Sequence, residues 1–389
     1  MIVEPKFRGF ICTTSHPTGC KKNVENQIEY VKENGKIEGA KRVLVLGAST
    51  GYGLASAIVA SEACDAEVLG VSFEREAKGK RTASAGWYNI ESLKKFTASE
   101  GKKFISVNGD AFSNEVKNEV IELIKENMGK VDLVIYSLAA PKRKDPVSGE
   151  VYSSCLKTVG APFTSKTLDF HTGEIHDITI NPATEEEIEG TRKVMGGEDW
   201  MLWIKALKEA DVLEKGVKTI AYSYIGPEVT YPIYREGTIG RAKNDLEKTA
   251  GEITKVLKSL NGEGYISVNK ALVTQASSAI PIVSLYISIL YKVMKEKGTH
   301  EGCIEQIYRM FKEIYQGNLN LDSENRIRID DLEMAEDVQK AIEEIWPQIT
   351  SENVFELSDA EGFKKEFFKL FGFGLEGVDY SEDVDITTV

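Results

Sequence analysis

Apolar residues fall along the chain in short continuous runs, separated by longer stretches with helical spacing. The β-rich runs lie at 42–46, 67–72, 104–107, 133–137, 218–224 and 265–268, and helix-length stretches such as 52–64, 90–100 and 114–127 lie between most of them. This alternation predicts right-handed βαβ crossovers and a mainly parallel sheet. VLVLG and DLVIYS are apolar without alternation, as strands buried on both faces are. A further helix is expected over 24–33, behind an N-terminal arm. The expected class is α/β, a Rossmann-type doubly wound sheet with an insertion after the fourth strand and a helical C-terminal extension.

The fourth and fifth runs are about 80 residues apart, far more than one crossover helix needs. Residues 140–181 are polar and turn-rich (PKRKDPVSGE, DFHTGE) and read as an insertion over the sheet edge. Thr184 followed by Glu187 is a capping-box signature, so a helix is expected from there to Gly196–Gly197, and a second over 198–210. Beyond Gln275 the pattern predicts more helices, a short strand at 326–329 and a helix over 332–345. The acidic end SEDVDITTV reads as loose surface chain. With no linker visible, residues 1–389 are expected to form one enlarged domain: a core of about 40–275, an insertion of about 140–215 and an extension of about 276–389.

Composition narrows the function. A net charge of −13 argues against broad phosphate-tracking binding to nucleic acid. Five cysteines without a CxxC pair and four scattered histidines make neither a disulfide framework nor a zinc site, so no metal is expected. The start, MIVEPKFRGFICTTSHP, carries Glu4 and a broken apolar stretch and does not read as a signal peptide. The greasiest segment, 279–294, is too short for a span of about 20 residues and contains Pro281. A cytoplasmic protein without membrane or nucleic-acid partners is expected.

Gly47-Ala48-Ser49-Thr50-Gly51-Tyr52-Gly53 follows the first strand and opens a helix. Its spacing, G-x-x-x-G-x-G, departs from the standard dinucleotide fingerprint but serves the same need: a tight turn and close approach of a pyrophosphate to a helix N-terminus. A purely structural turn is the alternative, since glycine is the default there. Phe73-Glu74 follows the second strand. An acid there can accept from an adenosine ribose and disfavour a 2′-phosphate, which favours NADH, although neighbouring Arg75 pulls the other way. Asp110-Ala111 after the third strand is a candidate adenine contact, and Leu138-Ala139 after the fourth is expected beneath the cofactor. Either could be ordinary strand-end chain.

The fifth strand leads into AYSYIGPEVTYPIYREGTIGRAK, where Lys243 stands nine positions after Tyr234. A phenol, with an ordinary pKa of about 10, donates poorly at neutral pH until a nearby ammonium stabilises its phenolate. Nine residues on one helix turn through about 900°, placing the two side chains on opposite faces. Tyr234 should therefore precede a helix that holds Lys243, with Gly237 at the break. The alternative is that the aromatics pack the strand end and Lys243 is a solvated helix residue.

GASTGYG, YSYIGPE and Tyr-x8-Lys, with HPTGC in front and SVNKALVTQASSAIP and RIRIDD downstream, resemble the trans-2-enoyl-CoA reductase family over essentially the whole chain. Its relatives are the long-type bacterial enoyl-acyl-carrier-protein reductases, within the short-chain dehydrogenase/reductase superfamily, whose usual Tyr-x3-Lys spacing this chain lacks. The resemblance implies an enlarged Rossmann fold, usually monomeric. It implies Tyr234 as proton donor, Lys243 as cofactor-ribose and phenolate-stabilising residue, and Tyr224 at the thioester carbonyl. Leu272-Val273-Thr274 would meet the nicotinamide carboxamide. The implied reaction is NADH-dependent reduction of a short trans-2-enoyl-CoA, such as crotonyl-CoA to butyryl-CoA. No metal or flavin is required.

Because 279–294 follows Thr274, it is expected to form a helix lining the acyl pocket, with Pro281 in its first turn and Ile282 and Ile287 toward the acyl chain. Plain core packing is the alternative. Competing functions are an enoyl-acyl-carrier-protein reductase, a ketoacyl or alcohol dehydrogenase (disfavoured by the long Tyr–Lys spacing), a silent NAD-sensing module and a scaffold using 279–294 as a partner helix.

Overall fold

The computed structural model describes residues 1–8, 11–317 and 319–389. Seven parallel strands form the central sheet: β1 (Arg42–Leu46), β2 (Glu67–Ser72), β3 (Phe104–Asn108), β4 (Val131–Tyr136), β5 (Leu213–Ser223), β6 (Glu263–Val268) and β7 (Ile327–Arg328). Their spatial order is β3-β2-β1-β4-β5-β6-β7. This is the Rossmann order with one strand added at the edge, and its direction of winding reverses between β1 and β4.

Strict alternation in β1 splits the core. Val43 and Val45 point into an apolar layer with α1 (Pro17–Asn34), α2 (Gly51–Glu62) and α9 (Cys303–Gln316). Leu44 and Leu46 point into the opposite layer with α4 (Asn114–Asn127), α6 (Glu198–Glu209) and α7 (Thr238–Val256). Both faces of the strand are dry, which is why VLVLG carries no polar residue. A third cluster joins α8 (Val283–Lys297), α10 (Glu336–Ile345) and α12 (Ala360–Lys369) to the N-terminal arm.

The insertion holds α5 (Glu185–Met195), whose capping box forms as expected: Thr184 Oγ1 accepts from the Glu187 amide and Glu187 accepts from the Thr184 amide. On α6, Asp199 pairs with Lys117 of α4 at 2.8 Å, both buried. Lys117 also donates to the carbonyls of Ala111 and Phe112. Trp203 Nε1 donates to the same Ala111 carbonyl at 3.0 Å. The insertion thus holds the segment that follows β3.

Several expectations need correction. The polar insertion contains two antiparallel hairpins, Lys142–Lys144 with Val151–Ser153 and Phe163–Asp169 with Glu174–Ile180. Their solvent-facing positions mask the strand pattern. α1 starts at Pro17 rather than 24, because His16 Nδ1 accepts from the Gly19 amide and Pro17 opens the helix. The helix expected over 279–294 begins only at Val283 and runs to Lys297, so Pro281 precedes it. Ile282 at its N-cap has φ +73°, a strained setting for a β-branched residue, and its amide donates to Thr167 Oγ1 at 3.2 Å. The helix expected from 332 starts at Glu336, after a turn. The C-terminal tail is not loose: Ile386 is buried and its carbonyl accepts from the Tyr88 hydroxyl at 2.6 Å.

Candidate active site

The first strand stops at Leu46, opposite Tyr136 of β4 and Val71 of β2. Gly47 then turns with φ +89°, and a Cβ there would lie 2.1 Å from the Ser137 carbonyl. At Gly53 a Cβ would lie 1.9 Å from the Gly47 carbonyl oxygen. Glycine is obligatory at both by contact. Thr50 precedes α2 without its side chain bonding a helix amide, leaving the helix N-terminus open to an anion.

The other cofactor candidates gather at the same end. Ser49 Oγ donates to Glu74 at 2.6 Å, so the acid is tethered to the glycine turn rather than loose in solvent. Phe73 is 79% exposed, a bare ring beside it. Asp110 Oδ1 accepts from the Phe112 amide, and Ala111 is buried. Leu138 lies against Gly47, and Ala139 is exposed. Thr274 reaches toward Gly51 across the turn, while Leu272 and Val273 are buried. Tyr52 spans the gap, its hydroxyl donating to the Lys270 carbonyl at 2.7 Å. Ser223 Oγ, Asn269 Nδ2 and Asn89 Oδ1 are buried polar atoms without a partner among the described residues. Two close strands β5 and β6, and Asn89 donates to the Ser49 carbonyl. Open glycine backbone, a tethered acid and unpaired polar atoms fit a dinucleotide.

β5 ends at Ser223 and places Tyr224 immediately beyond it. A short turn then leads to Tyr234, and Gly237 caps α7, which carries Lys243 in its second turn, as the spacing requires. The rings of Tyr224 and Tyr234 meet edge to face, with centroids 4.8 Å apart. Tyr234 is 7% exposed. Burial raises its phenol above the ordinary value. Lys243 Nζ donates to the Tyr222 carbonyl at 2.9 Å, and among the described residues no hydrogen bond joins it to Tyr234. Burial pushes Lys243 down to about 8, against an upward pull from Glu247.

Sequence reasoning passed over Glu333. It is fully buried, and it accepts from the Tyr224 hydroxyl at 3.0 Å and the Tyr286 hydroxyl at 2.6 Å. Burial raises its carboxyl, while Lys270 draws it down. It follows the RIRIDD run closely, but one acid among 61 in a loop carries no signal of its own. Ile282 and Ile287 are both fully buried in the cluster around α8.

Comparison with known proteins bears on this site. The description "NAD(P)H binding domain of trans-2-enoyl-CoA reductase" matches residues 2–79, and "Trans-2-enoyl-CoA reductase catalytic region" matches residues 81–315. "Enoyl reductase FAD binding domain" matches residues 321–384. A trans-2-enoyl-CoA reductase (NADH) of Clostridium perfringens is 97% identical over 389 residues, covering 100% of both chains. An enoyl-acyl-carrier-protein reductase (NADH) of Flavobacterium johnsoniae is 56% identical, covering 99% of this chain and 98% of its own. The crystal structure of Clostridium acetobutulicum trans-2-enoyl-CoA reductase in complex with NADH is 50% identical, covers 99% and 98%, and superposes with a TM-score of 0.97.

The segment matched as FAD-binding does not fit a flavin here. Phe363 and Phe367 are fully buried in the cluster around α8, and among its described residues no buried polar side-chain atom lacks a partner. Its Glu333 is spent on Tyr224 and Tyr286.

The glycine turn generates a direct test. Gly53→Ala places a methyl 1.9 Å from the Gly47 carbonyl oxygen, so the turn must open. Overpacking of this kind costs about 1–3 kcal/mol. A lowered denaturation midpoint and an NADH affinity reduced at least tenfold in a fluorescence titration are expected. Wild-type affinity would show that the turn does not touch the cofactor.

Proposed function

The chain belongs to the trans-2-enoyl-CoA reductase family, and from that premise we infer that it reduces the carbon–carbon double bond of a trans-2-enoyl-CoA with NADH. The observation that carries this reading is the edge-to-face pair of Tyr224 and Tyr234 at the carboxyl end of β5, the same end of the parallel sheet as the glycine turn.

In this reading Gly47, Ala48, Ser49, Thr50, Gly51 and Tyr52 hold the pyrophosphate side, with Phe73, Glu74, Asp110 and Ala111 at the adenosine. Leu138, Ala139, Leu272, Val273 and Thr274 surround the nicotinamide, and Lys243 holds its ribose. Bound NADH supplies a hydride to the β-carbon of the unsaturated thioester. The chain's task is then the charge that appears on the thioester oxygen as an enolate. Tyr234 donates to that oxygen in a site where burial excludes water and strengthens the interaction. Tyr224 stands beside it against the thioester. A proton that comes ultimately from solvent is then taken up at the α-carbon, which discharges the enolate and gives the saturated product.

The finer reading has a short substrate, crotonyl-CoA to butyryl-CoA, in butyrate-type or fatty-acid metabolism, with CoA rather than acyl carrier protein as the carrier. Ile282 and Ile287 would bound the acyl end, a placement supported by the short chain distance from Thr274 to the start of α8. The chain would act as one enlarged domain, 1–389, in a monomeric cytoplasmic enzyme. The apolar cluster shared by the N-terminal arm, α8 and the C-terminal helices supports the single domain, and no described helix is long and apolar enough to cross a membrane.

Purified protein with NADH and crotonyl-CoA should consume both and release butyryl-CoA in equal amount, with NADPH a poorer donor because Glu74 faces the 2′-position; no turnover would overturn the function, and equal use of NADPH the role of Glu74. Tyr234→Phe should lower kcat by about 10²–10⁴ while NADH affinity stays near normal; near-normal kcat would move donation elsewhere.

Lys243 makes NADH binding depend on pH. Its ammonium loses its proton near pH 8 in the free protein, and the anionic cofactor favours the charged form. Affinity should be flat below pH 8 and fall above it, since binding must then take up a proton. Lys243→Met should bind weakly and lose the inflection; a flat wild-type profile to pH 9.5 would contradict the contact.

For the acyl end, Ile282→Ala and Ile287→Ala should shift preference toward hexenoyl- and octenoyl-CoA, each added methylene being worth about 0.8 kcal/mol of burial. An unchanged chain-length profile in both would return these residues to the core alone.

A further inference from the structure

Glu333 lies in the turn between β7 and α10, and no part of it is exposed. Its two oxygens do different things. Oε1 accepts from the hydroxyls of Tyr224 and Tyr286, and Oε2 accepts from the amide of Ala271 at 2.7 Å. Burial raises this carboxyl, while the three donors converging on it and the Lys270 ammonium pull toward the ionised form that such a set of donors suits. The turn itself is held: Gln339 Nε2 donates to the Glu333 carbonyl at 2.7 Å and to the Tyr286 hydroxyl at 3.2 Å.

These bonds restrict what Tyr224 can do. A hydroxyl has one proton to give. While the Tyr224 proton is directed at Glu333, the face that Tyr224 turns to the site is a lone pair. Tyr224 can then accept from a neighbouring donor but cannot itself donate to a thioester oxygen. Tyr234, whose ring packs edge-on against Tyr224, is left as the donor. The other oxygen of Glu333 fixes Ala271, the residue immediately before Leu272, Val273 and Thr274. One buried carboxylate therefore ties the substrate-side tyrosine to the nicotinamide-side segment.

We propose that Glu333 is a positioning residue for enoyl reduction, setting Tyr224 as a hydrogen-bond acceptor beside the donor Tyr234 and locking residues 271–274 to it. This rests on the enoyl-reductase reading above. Glu333→Gln has the same size and can still accept from the Ala271 amide through its oxygen. Its nitrogen, however, would donate to Tyr224 and turn that hydroxyl outward. Glu333→Ala loses both connections.

The test is a double-mutant cycle of Glu333→Gln with Tyr224→Phe, reading kcat and KM for crotonyl-CoA, NADH affinity by fluorescence, and secondary structure by circular dichroism. Glu333→Gln should lower kcat by roughly tenfold or more with NADH affinity within about twofold, the size expected for losing a hydrogen bond to a charged acceptor. In the Tyr224→Phe background the same change should have little further effect, because Glu333 acts through that hydroxyl. Glu333→Ala should weaken NADH binding as well. If Glu333→Gln does not fold, the cycle is run with Glu333→Asp, which keeps the charge but cannot span Tyr224 and Ala271 together. The same kcat loss and the same non-additivity are expected. Fully additive effects, or wild-type kcat in the folded glutamine variant, would overturn the positioning role. A wild-type protein inactive toward NADH and crotonyl-CoA would instead overturn enoyl reduction itself, so the two failures are distinguishable.

Discussion

The parallel pairing of β1 with β4 is the constraint on which the rest of the site depends. It ends at Leu46 and Tyr136, and the Ser137 amide donates to the Leu46 carbonyl at 2.9 Å. Beyond that point the chain must leave the sheet with no room for a side chain at Gly47. Because the winding reverses here, α2 and the insertion depart to opposite faces and leave a crevice between them. The segments at Gly47, Phe73, Asp110 and Leu138 each begin one or two residues past the end of a strand in this sheet. A slip of one residue would turn each alternating side chain to the wrong layer.

Burial does the rest of the chemical tuning. Tyr224, Tyr234 and Tyr286 all have phenols held above their ordinary value by desolvation, so none is a phenolate in the free protein. Lys243 and Lys270 are pushed the opposite way for the same reason. A dry site thus keeps its acids protonated and its ammonium groups poised to gain from an anionic ligand or intermediate. Burial raises the Glu333 carboxyl too, and this group organises the others, since it accepts from two of these phenols at one oxygen.

Much of this was legible in the residues. Continuous apolar runs located six strands, and GASTGYG marked the first turn. The nine-residue step from Tyr234 to Lys243 required a helix starting between them, and α7 begins at Thr238. What failed to show was non-local. The insertion hairpins hide behind polar outer faces. The start of α8 is delayed by the strained Ile282 and the hydrogen bond of its amide to Thr167, more than a hundred residues away. Likewise, the turn at Glu333 replaces a plausible helix start because its carboxylate is held by Tyr224, Tyr286 and Ala271, each from a different part of the chain. Tertiary partners decide such positions, and a local pattern cannot contain them.

Conjugate addition has a signature that separates enoyl reduction from carbonyl reduction and from a silent NAD-sensing module, and isotope placement in the product reads it directly. With crotonyl-CoA and NADH carrying deuterium at the transferable C4 position, in ordinary water, the label should appear at the β-carbon of butyryl-CoA. With unlabelled NADH in heavy water, deuterium should appear at the α-carbon instead. Cofactor label at the α-carbon, or solvent label at the β-carbon, would contradict hydride delivery to a thioester whose oxygen is held by Tyr234.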